Sequence, residues 1–345
     1  GAIVLSFYVN CSSKSDGQGT AASPEQGQSP PATPPPPVPP SPDPVPPPVV
    51  KGTRLLGIHL SNSGNGFESA FAVTKRVNFD FHNIHLIWGK GAFSGALPIP
   101  PLESNESVGC SASSTYDTGL LSSAHGFYPA YNTKLMMTIG TYDTNLKFVP
   151  TCAKDMRFNS VTMKTMFQYN LDVLFSVIDV SPKLELVALN IGNEIDANSE
   201  LSQCKVNGAI TQNWLDYIEF VDAAANYARS KRPGLKIGSI GTHTGMTNPA
   251  LKDCFDLLLS KTDILTVTYY PLDYDPVTGF RMKDPAVVSA DVAALVNAYP
   301  GKSIFFSEVG FSSGESYVGG SLDKQAQFVR EIFSAWDQYP TQIKS

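Results

Sequence analysis

The stretch Glu185-Leu-Val-Ala-Leu-Asn-Ile-Gly-Asn-Glu194, together with Ser303-Ile-Phe-Phe-Ser-Glu308-Val-Gly-Phe311, presents twice the same device: a short apolar run closed by a glutamate. A run of this length bounded by polar residues reads as a strand buried on both faces, the habit of parallel sheets. Such a strand has no packing use for a glutamate. An ionised carboxylate at its dry end costs on the order of several kcal/mol unless hydrogen bonds or cations offset it, so two such placements ask for a chemical reason.

Working outward, apolar runs at 55–61, 79–88, 134–143, 186–194, 236–242, 264–272 and 303–311 alternate with helix-like segments at 161–178, 214–230, 249–260, 285–298 and 323–339. Asn213 and Asp323 are suitable helix starts. Repeated βα units leave two architectures, an eight-stranded α/β barrel or an open doubly wound sheet. Polar and aromatic residues gather after nearly every strand, as a ring of loops around one barrel mouth requires. The Ser61-Asn-Ser-Gly-Asn-Gly66 segment lacks the spacing and the later acidic partner of a dinucleotide fingerprint and reads as a loop. The expected fold is therefore a (β/α)8 TIM barrel. The chain stops at Thr341-Gln-Ile-Lys-Ser345, where the strand after the last helix should begin, so the eighth strand is expected to be cut off.

The barrel domain is expected over 51–345. Residues 1–50 are rich in Ser, Gly and then Pro, as in Thr33-Pro-Pro-Pro-Pro37 and Pro46-Pro-Pro48, and cannot bury enough apolar surface to offset their ordering entropy. Proline biases them to an extended, disordered spacer. Ahead of it, Ala2-Ile-Val-Leu-Ser-Phe-Tyr-Val9 precedes Asn10-Cys11-Ser-Ser13 in a chain that begins with Gly. That pattern fits the remnant of an export signal, with two outcomes for Cys11: lipid anchoring, or an ordinary signal or tail. Asn10 fits the lipid signal poorly, because small residues are expected before the cysteine. Either outcome places the domain outside the cytoplasm, extracellular, at the cell surface or periplasmic.

Setting Cys11 aside leaves Cys110, Cys152, Cys204 and Cys254, an even number with three possible pairings. Loop position favours Cys110 with Cys152 and Cys204 with Cys254. No CxxC or His-rich spacing suggests a metal, and no cofactor is expected. The net charge of -6 and the absence of a dense Lys/Arg run exclude a nucleic-acid surface and suit a neutral substrate taken by a monomer.

On a barrel, the loop ends would bring His59, Trp88, Tyr142, Asp143, Asn193, Glu194, His243, Tyr269, Tyr270 and Glu308 to one mouth. Strands four and seven lie across the axis, so Glu194 and Glu308 would face each other over a bound sugar, and a separation of about 5 Å would suit glycoside hydrolysis by double displacement. Asn193-Glu194 closing strand four and Glu308 closing strand seven resemble the large clan of retaining glycoside hydrolases built on (β/α)8 barrels. That resemblance implies Glu194 as acid/base, Asn193 as partner of the sugar 2-hydroxyl and Glu308 as nucleophile.

Within the clan, Ile191-Gly-Asn-Glu-Ile195, Thr268-Tyr-Tyr-Pro271, Trp88 and Tyr142-Asp143 are similar to segments of the endo-β-1,4-galactanase family. That family expects an arginine shortly before the strand-two tryptophan, where this chain has His85-Leu-Ile-Trp88, so His85 or His59 would have to substitute. The insert 89–130 and the polar loop 196–208 match nothing in it, and such loops set specificity.

The supporting residues each carry two readings. Trp88 is a platform for a pyranose ring or part of the core. Tyr269 or Tyr270 donates to the nucleophile, with Tyr269 weighted slightly above Tyr270, or both pack in the barrel wall. His59 and His243 contact substrate or a carboxylate, or are structural. Asp143 lines the mouth or caps a helix. Asp196 and Glu315 end no apolar run and read as solvated loop acids. The leading function is an exported retaining glycoside hydrolase acting on a β-linked poly- or oligosaccharide. The alternatives are a carbohydrate-binding barrel without turnover and a transglycosylase using the same carboxylates.

Overall fold

The computed structural model describes residues 54–58, 79–89, 119–180, 184–275, 277, 279–314 and 318–345. The expectations for Cys11, His59, Cys110, Glu315 and the 61–66 loop lie outside the described residues, as does the proline-rich segment. Strands β1 (Gly57–Ile58), β2 (Phe81–Ile87), β3 (Lys134–Asp143), β5 (Leu186–Asn193) and β8 (Lys236–Gly238) form one parallel arc, with β4 (Leu146–Lys147) folded back on β3. Strands β9 (Ile240–Thr242), β10 (Leu265–Tyr269) and β13 (Ile304–Val309) form a second parallel arc.

The two arcs meet at both ends. Only Ser239 separates β8 from β9, so one bent barrel strand belongs to both arcs. At the other end, residues 342–345 take the eighth position. Ile343 bridges Ile304 in parallel, Lys344 N donates to Ile304 O at 2.8 Å, and Leu55 N donates to Lys344 O at 2.8 Å. The last residues thus carry the pairing from β13 round to β1. The fold is that of a (β/α)8 barrel, with residues 342–345 pairing in the position of the eighth strand.

Helices α1 (Gly119–Phe127), α2 (Val161–Ile178), α3 (Gln212–Lys231), α4 (His243–Thr247), α5 (Lys252–Leu259), α6 (Val288–Ala298) and α7 (Leu322–Asp337) follow the strands. Hydroxyls cap three of them: Ser160 accepts from Met163 N, Thr242 from Gly245 N and Ser321 from Lys324 N. Each satisfies a donor the first turn would otherwise leave open. The capping positions differ from those expected, since Ser321 caps α7 and α3 starts after Thr211.

Alternation along the strands divides the core in two. Phe81, Met136, Ala188, Ile264 and Phe305 pack on one another inside the barrel. Ile84, Leu86, Leu135, Met137, Leu189, Ile191, Leu265 and Val267 join the helices in the outer shell. The inside is filled rather than open, as small parallel barrels require. Above the apolar layer it turns polar, with Thr266 Oγ1 donating to Asn190 Oδ1 at 2.8 Å. The loop after β5 carries the small hairpin β6 (Lys205–Val206) and β7 (Ala209–Ile210) and is stapled to α5 by the Cys204–Cys254 disulfide. Closing a loop of 50 residues is worth about 4 kcal/mol on the chain-entropy account. Cys152 is also disulfide-bonded.

Candidate active site

Two local irregularities deliver the two glutamates. In the Gly192-Asn193-Glu194 segment, Gly192 sits at φ 82° and Glu194 at φ 45°. Any side chain on Gly192 would collide with the Tyr217 hydroxyl, which donates to Ile191 O at 3.0 Å and props the turn from outside. Glycine meets both demands, the positive φ and the close approach. In β13 the irregularity is a bulge: Val267 pairs with Phe306 but Thr268 pairs with Glu308, leaving Ser307 as the extra residue. Ile304 and Phe306 face the helices, so regular alternation would send Glu308 the same way. The bulge turns it inward.

Glu194 is held through both oxygens. Thr144 Oγ1 donates to its Oε2 at 3.0 Å and Thr268 Oγ1 to its Oε1 at 2.8 Å. Tyr270 Oη donates to Glu308 Oε2 at 2.8 Å. Thr268 therefore touches one glutamate and is the register partner of the other. Beside them, Asn193 Nδ2 donates to Asp143 Oδ1 at 3.0 Å, and His85 Nε2 lies 3.6 Å from Asp143 Oδ2.

Burial pushes both carboxyls upward. For Glu194 it outweighs the two threonine bonds, and the charges of Asp196 and Asp143 add to it. Glu308 is pushed up to about 7, first by burial and then by the charge of Glu194, against the lowering effect of the Tyr270 hydrogen bond. Burial and the neighbouring glutamate raise the Tyr270 phenol well above its ordinary range, so it stays a donor. Each carboxylate thus makes it harder for the other to ionise.

Several expected site residues lie elsewhere. Trp88 is 0 % exposed and packs against Phe167 of α2 and Phe220 of α3, on the outer face of the wall. It follows Ile84 and Leu86 in alternation, and a side chain of that parity reaches the helices. Tyr142 is likewise buried, with its ring on Phe158 and Tyr217 and its hydroxyl donating to Glu200 at 2.7 Å. Tyr269 donates to Asp291 Oδ2 at 2.9 Å and stacks on Phe328, so the weighting of Tyr269 over Tyr270 is reversed.

His243 opens α4, packs on Tyr269 and donates through Nε2 to Asp291 O at 2.8 Å. Burial holds it below the usual histidine range. Asp196 is not a solvated loop acid. It is buried and accepts from Thr242 N at 2.7 Å and from Thr242 Oγ1 at 2.5 Å, tying the loop after β5 to the start of α4.

The structure thus brings together Asp143, Asn193, Glu194, Tyr270 and Glu308, and adds Thr144 and Thr268. Among the described residues no three His, Cys, Asp or Glu side chains cluster as a metal site would require.

No family model and no curated protein sequence matches the chain. Among solved structures it is similar to a fungal β-1,4-galactanase, at TM-score 0.53 and 14% identity, over 84% of this chain and 82% of that one. It is also similar to an exo-β-1,4-mannosidase of an Opitutaceae bacterium (TM-score 0.55, 13% identity, 84% of this chain and 51% of that one). A glucosidase of Croceicoccus marinus matches at TM-score 0.54 and 12% identity, over 85% of this chain and 58% of that one. The chain spans under two thirds of the last two. At these identities the likeness is one of fold.

Proposed function

We propose that the chain is a retaining glycoside hydrolase of a β-linked poly- or oligosaccharide, with Glu308 as nucleophile and Glu194 as acid/base. The observation that carries this reading is the role of Thr268: one residue hydrogen-bonds Glu194 and pairs with Glu308, which sets two half-buried carboxyls side by side at the C-terminal mouth of a barrel. Their hydrogen-bond partners favour separate tasks. The Glu308 partner, Tyr270, is a phenol held protonated, which suits a carboxylate that must stay ionised to attack. The two hydroxyls on Glu194 can donate to a carboxylate or turn and accept from a carboxylic acid, which suits a group that cycles between both forms.

In the first step Glu308 attacks the anomeric carbon, the glycosidic C–O bond breaks, and the Glu194 proton goes to the departing oxygen. In the second, Glu194 takes a proton from water, whose oxygen attacks the same carbon and releases Glu308 as a carboxylate. Asn193, fixed by Asp143, is the partner of the sugar 2-hydroxyl in this scheme. The disulfide between Cys204 and Cys254 supports an oxidising compartment, and with it export. Among the described residues no helix is long and apolar enough to cross a membrane.

The test is a screen of β-1,4-galactan, β-mannan, β-glucan and xylan, with aryl β-glycosides alongside, followed by the configuration of the first-formed product. Release of reducing ends with retained configuration is expected, with galactan tested first because of the motif resemblance. Inverted product, or no cleavage of any of them, would overturn the reading.

A further inference from the structure

After β10 the chain does not go straight to a helix. It first forms an antiparallel hairpin from β11 (Leu272–Asp275) and β12 (Gly279–Met282). The hairpin is rooted on the residue that holds Glu308: Leu272 N donates to Tyr270 O at 2.7 Å, and Lys283 N to Pro271 O at 2.7 Å. Its register pairs Leu272 with Met282 and Tyr274 with Phe280, so these four side chains share one face, while Asp273 and Arg281 pair on the other.

The apolar face begins in the protein, where Met282 is buried and Leu272 packs against the core. It ends in solvent, with Tyr274 63 % and Phe280 47 % exposed and their rings 5.2 Å apart, edge to face. An aromatic pair held at the tip of a hairpin contributes nothing to the core.

We infer that Tyr274 and Phe280 form a platform for sugar units of the substrate chain beyond the bond being cleaved. This rests on the glycosidase reading for the position of that bond. Four residues of extended chain separate Tyr274 from Tyr270, a reach of at most about 13 Å, so the platform lies within a few sugar units of the carboxylates. An aromatic face is complementary to the axial hydrogens of a pyranose.

Other occupants fit less well. Two rings offer far less than the roughly 800 Å² per partner of a standard protein interface. The neighbouring aspartates and a net charge of -6 disfavour an anionic membrane.

The experiment compares the protein with its Tyr274→Ala, Phe280→Ala and Tyr274→Trp variants in two measurements. The first is retardation in native gels containing each polysaccharide, which needs no turnover. The second is the ratio of kcat/KM on the polymer to kcat/KM on an aryl glycoside. Both alanine variants should lose retardation and lower the ratio about tenfold or more, mainly through KM, whereas Tyr274→Trp should keep both. Retardation and ratio within twofold of the parent in both alanine variants would overturn the platform. So would sedimentation showing a parent dimer that the alanine variants dissolve, which would make the hairpin a contact between two copies. Retardation that depends on Tyr274, in a protein that cleaves nothing, would sink the hydrolase reading while upholding the platform.

Discussion

Thr144 and Glu194, the first residues past the neighbouring strands β3 and β5, both adopt the left-handed conformation, at φ 52° and 45°, and the threonine hydroxyl donates to Glu194 Oε2 at 3.0 Å. For residues other than glycine this backbone costs about 1–2 kcal/mol each. Both strained residues lie at the proposed site and hydrogen-bond each other. In this conformation Glu194 lies within reach of Thr144 on one side and Thr268 on the other.

The bracket on Glu194 should be visible in a pH profile. Thr268→Val removes a hydroxyl that lowers the Glu194 pKa, so the acid form should persist to higher pH and the basic limb of kcat/KM should move upward. Activity should fall roughly 10- to 100-fold. Thr268→Ser should restore both. An unmoved basic limb in Thr268→Val would argue that the bond has no part in proton transfer.

The two glutamates should fail differently. Glu308→Ala should abolish cleavage and be partly rescued by azide, giving a glycosyl azide of inverted configuration. Glu194→Ala should keep activity mainly on aryl glycosides whose leaving groups need no proton. Activity like that of the parent in either variant on a natural polymer would exclude the double displacement.

Tyr270→Phe and Tyr269→Phe, adjacent and chemically identical changes, should separate cleanly. The Tyr270 hydroxyl lowers the Glu308 pKa, so its loss should raise the acidic limb of the pH profile, because the attacking carboxylate must be ionised. Tyr269→Phe loses only its bond to Asp291 and should cost about 1 kcal/mol of stability, with both limbs in place. Urea melts and pH–rate profiles of the two variants measure this.

Glu308 should also set a stability gradient. Its carboxyl is raised from 4.5 to about 7 in the folded chain, so its favourable contribution is full below pH 4.5 and is lost as pH rises through about 7. Glu308→Gln, which cannot ionise, should therefore be more stable than the parent at pH 8, by about 1–3 kcal/mol after allowance for partial exposure. The difference should vanish near pH 4. A Gln variant no more stable than the parent at pH 8 would mean that the carboxylate is well solvated.

The barrel and the two strand-ending glutamates are legible in the sequence because period, spacing and apolar runs carry them. Which face a side chain takes was legible too, but in a finer pattern. In Leu265-Thr-Val-Thr-Tyr-Tyr270 the apolar residues alternate with threonines, so Thr266, Thr268 and Tyr270 share the barrel side and Tyr269 goes to the helices. The same parity puts Trp88 outside with Ile84 and Leu86. Tyr142 was harder, because the register between β3 and β5 shifts past Ile139 and alternation cannot be carried across it. Asp196 followed no strand rule at all. Its burial depends on Thr242, 46 residues away, and on a missing side chain at Gly245.

The bulge at Ser307 gives the site an unusual dependence on counting. Whether Glu308 looks into the mouth or into the helical shell is decided by one supernumerary residue, not by any contact that Glu308 makes. If the same residues paired in regular alternation with the bulge closed up, the attacking group would rotate through the wall of the barrel, whereas removing Ser307 would leave Glu308 opposite Thr268 and on the inward side without any bulge. In this part of the chain the way the strand pairs, and not only which residues it holds, is a chemical property.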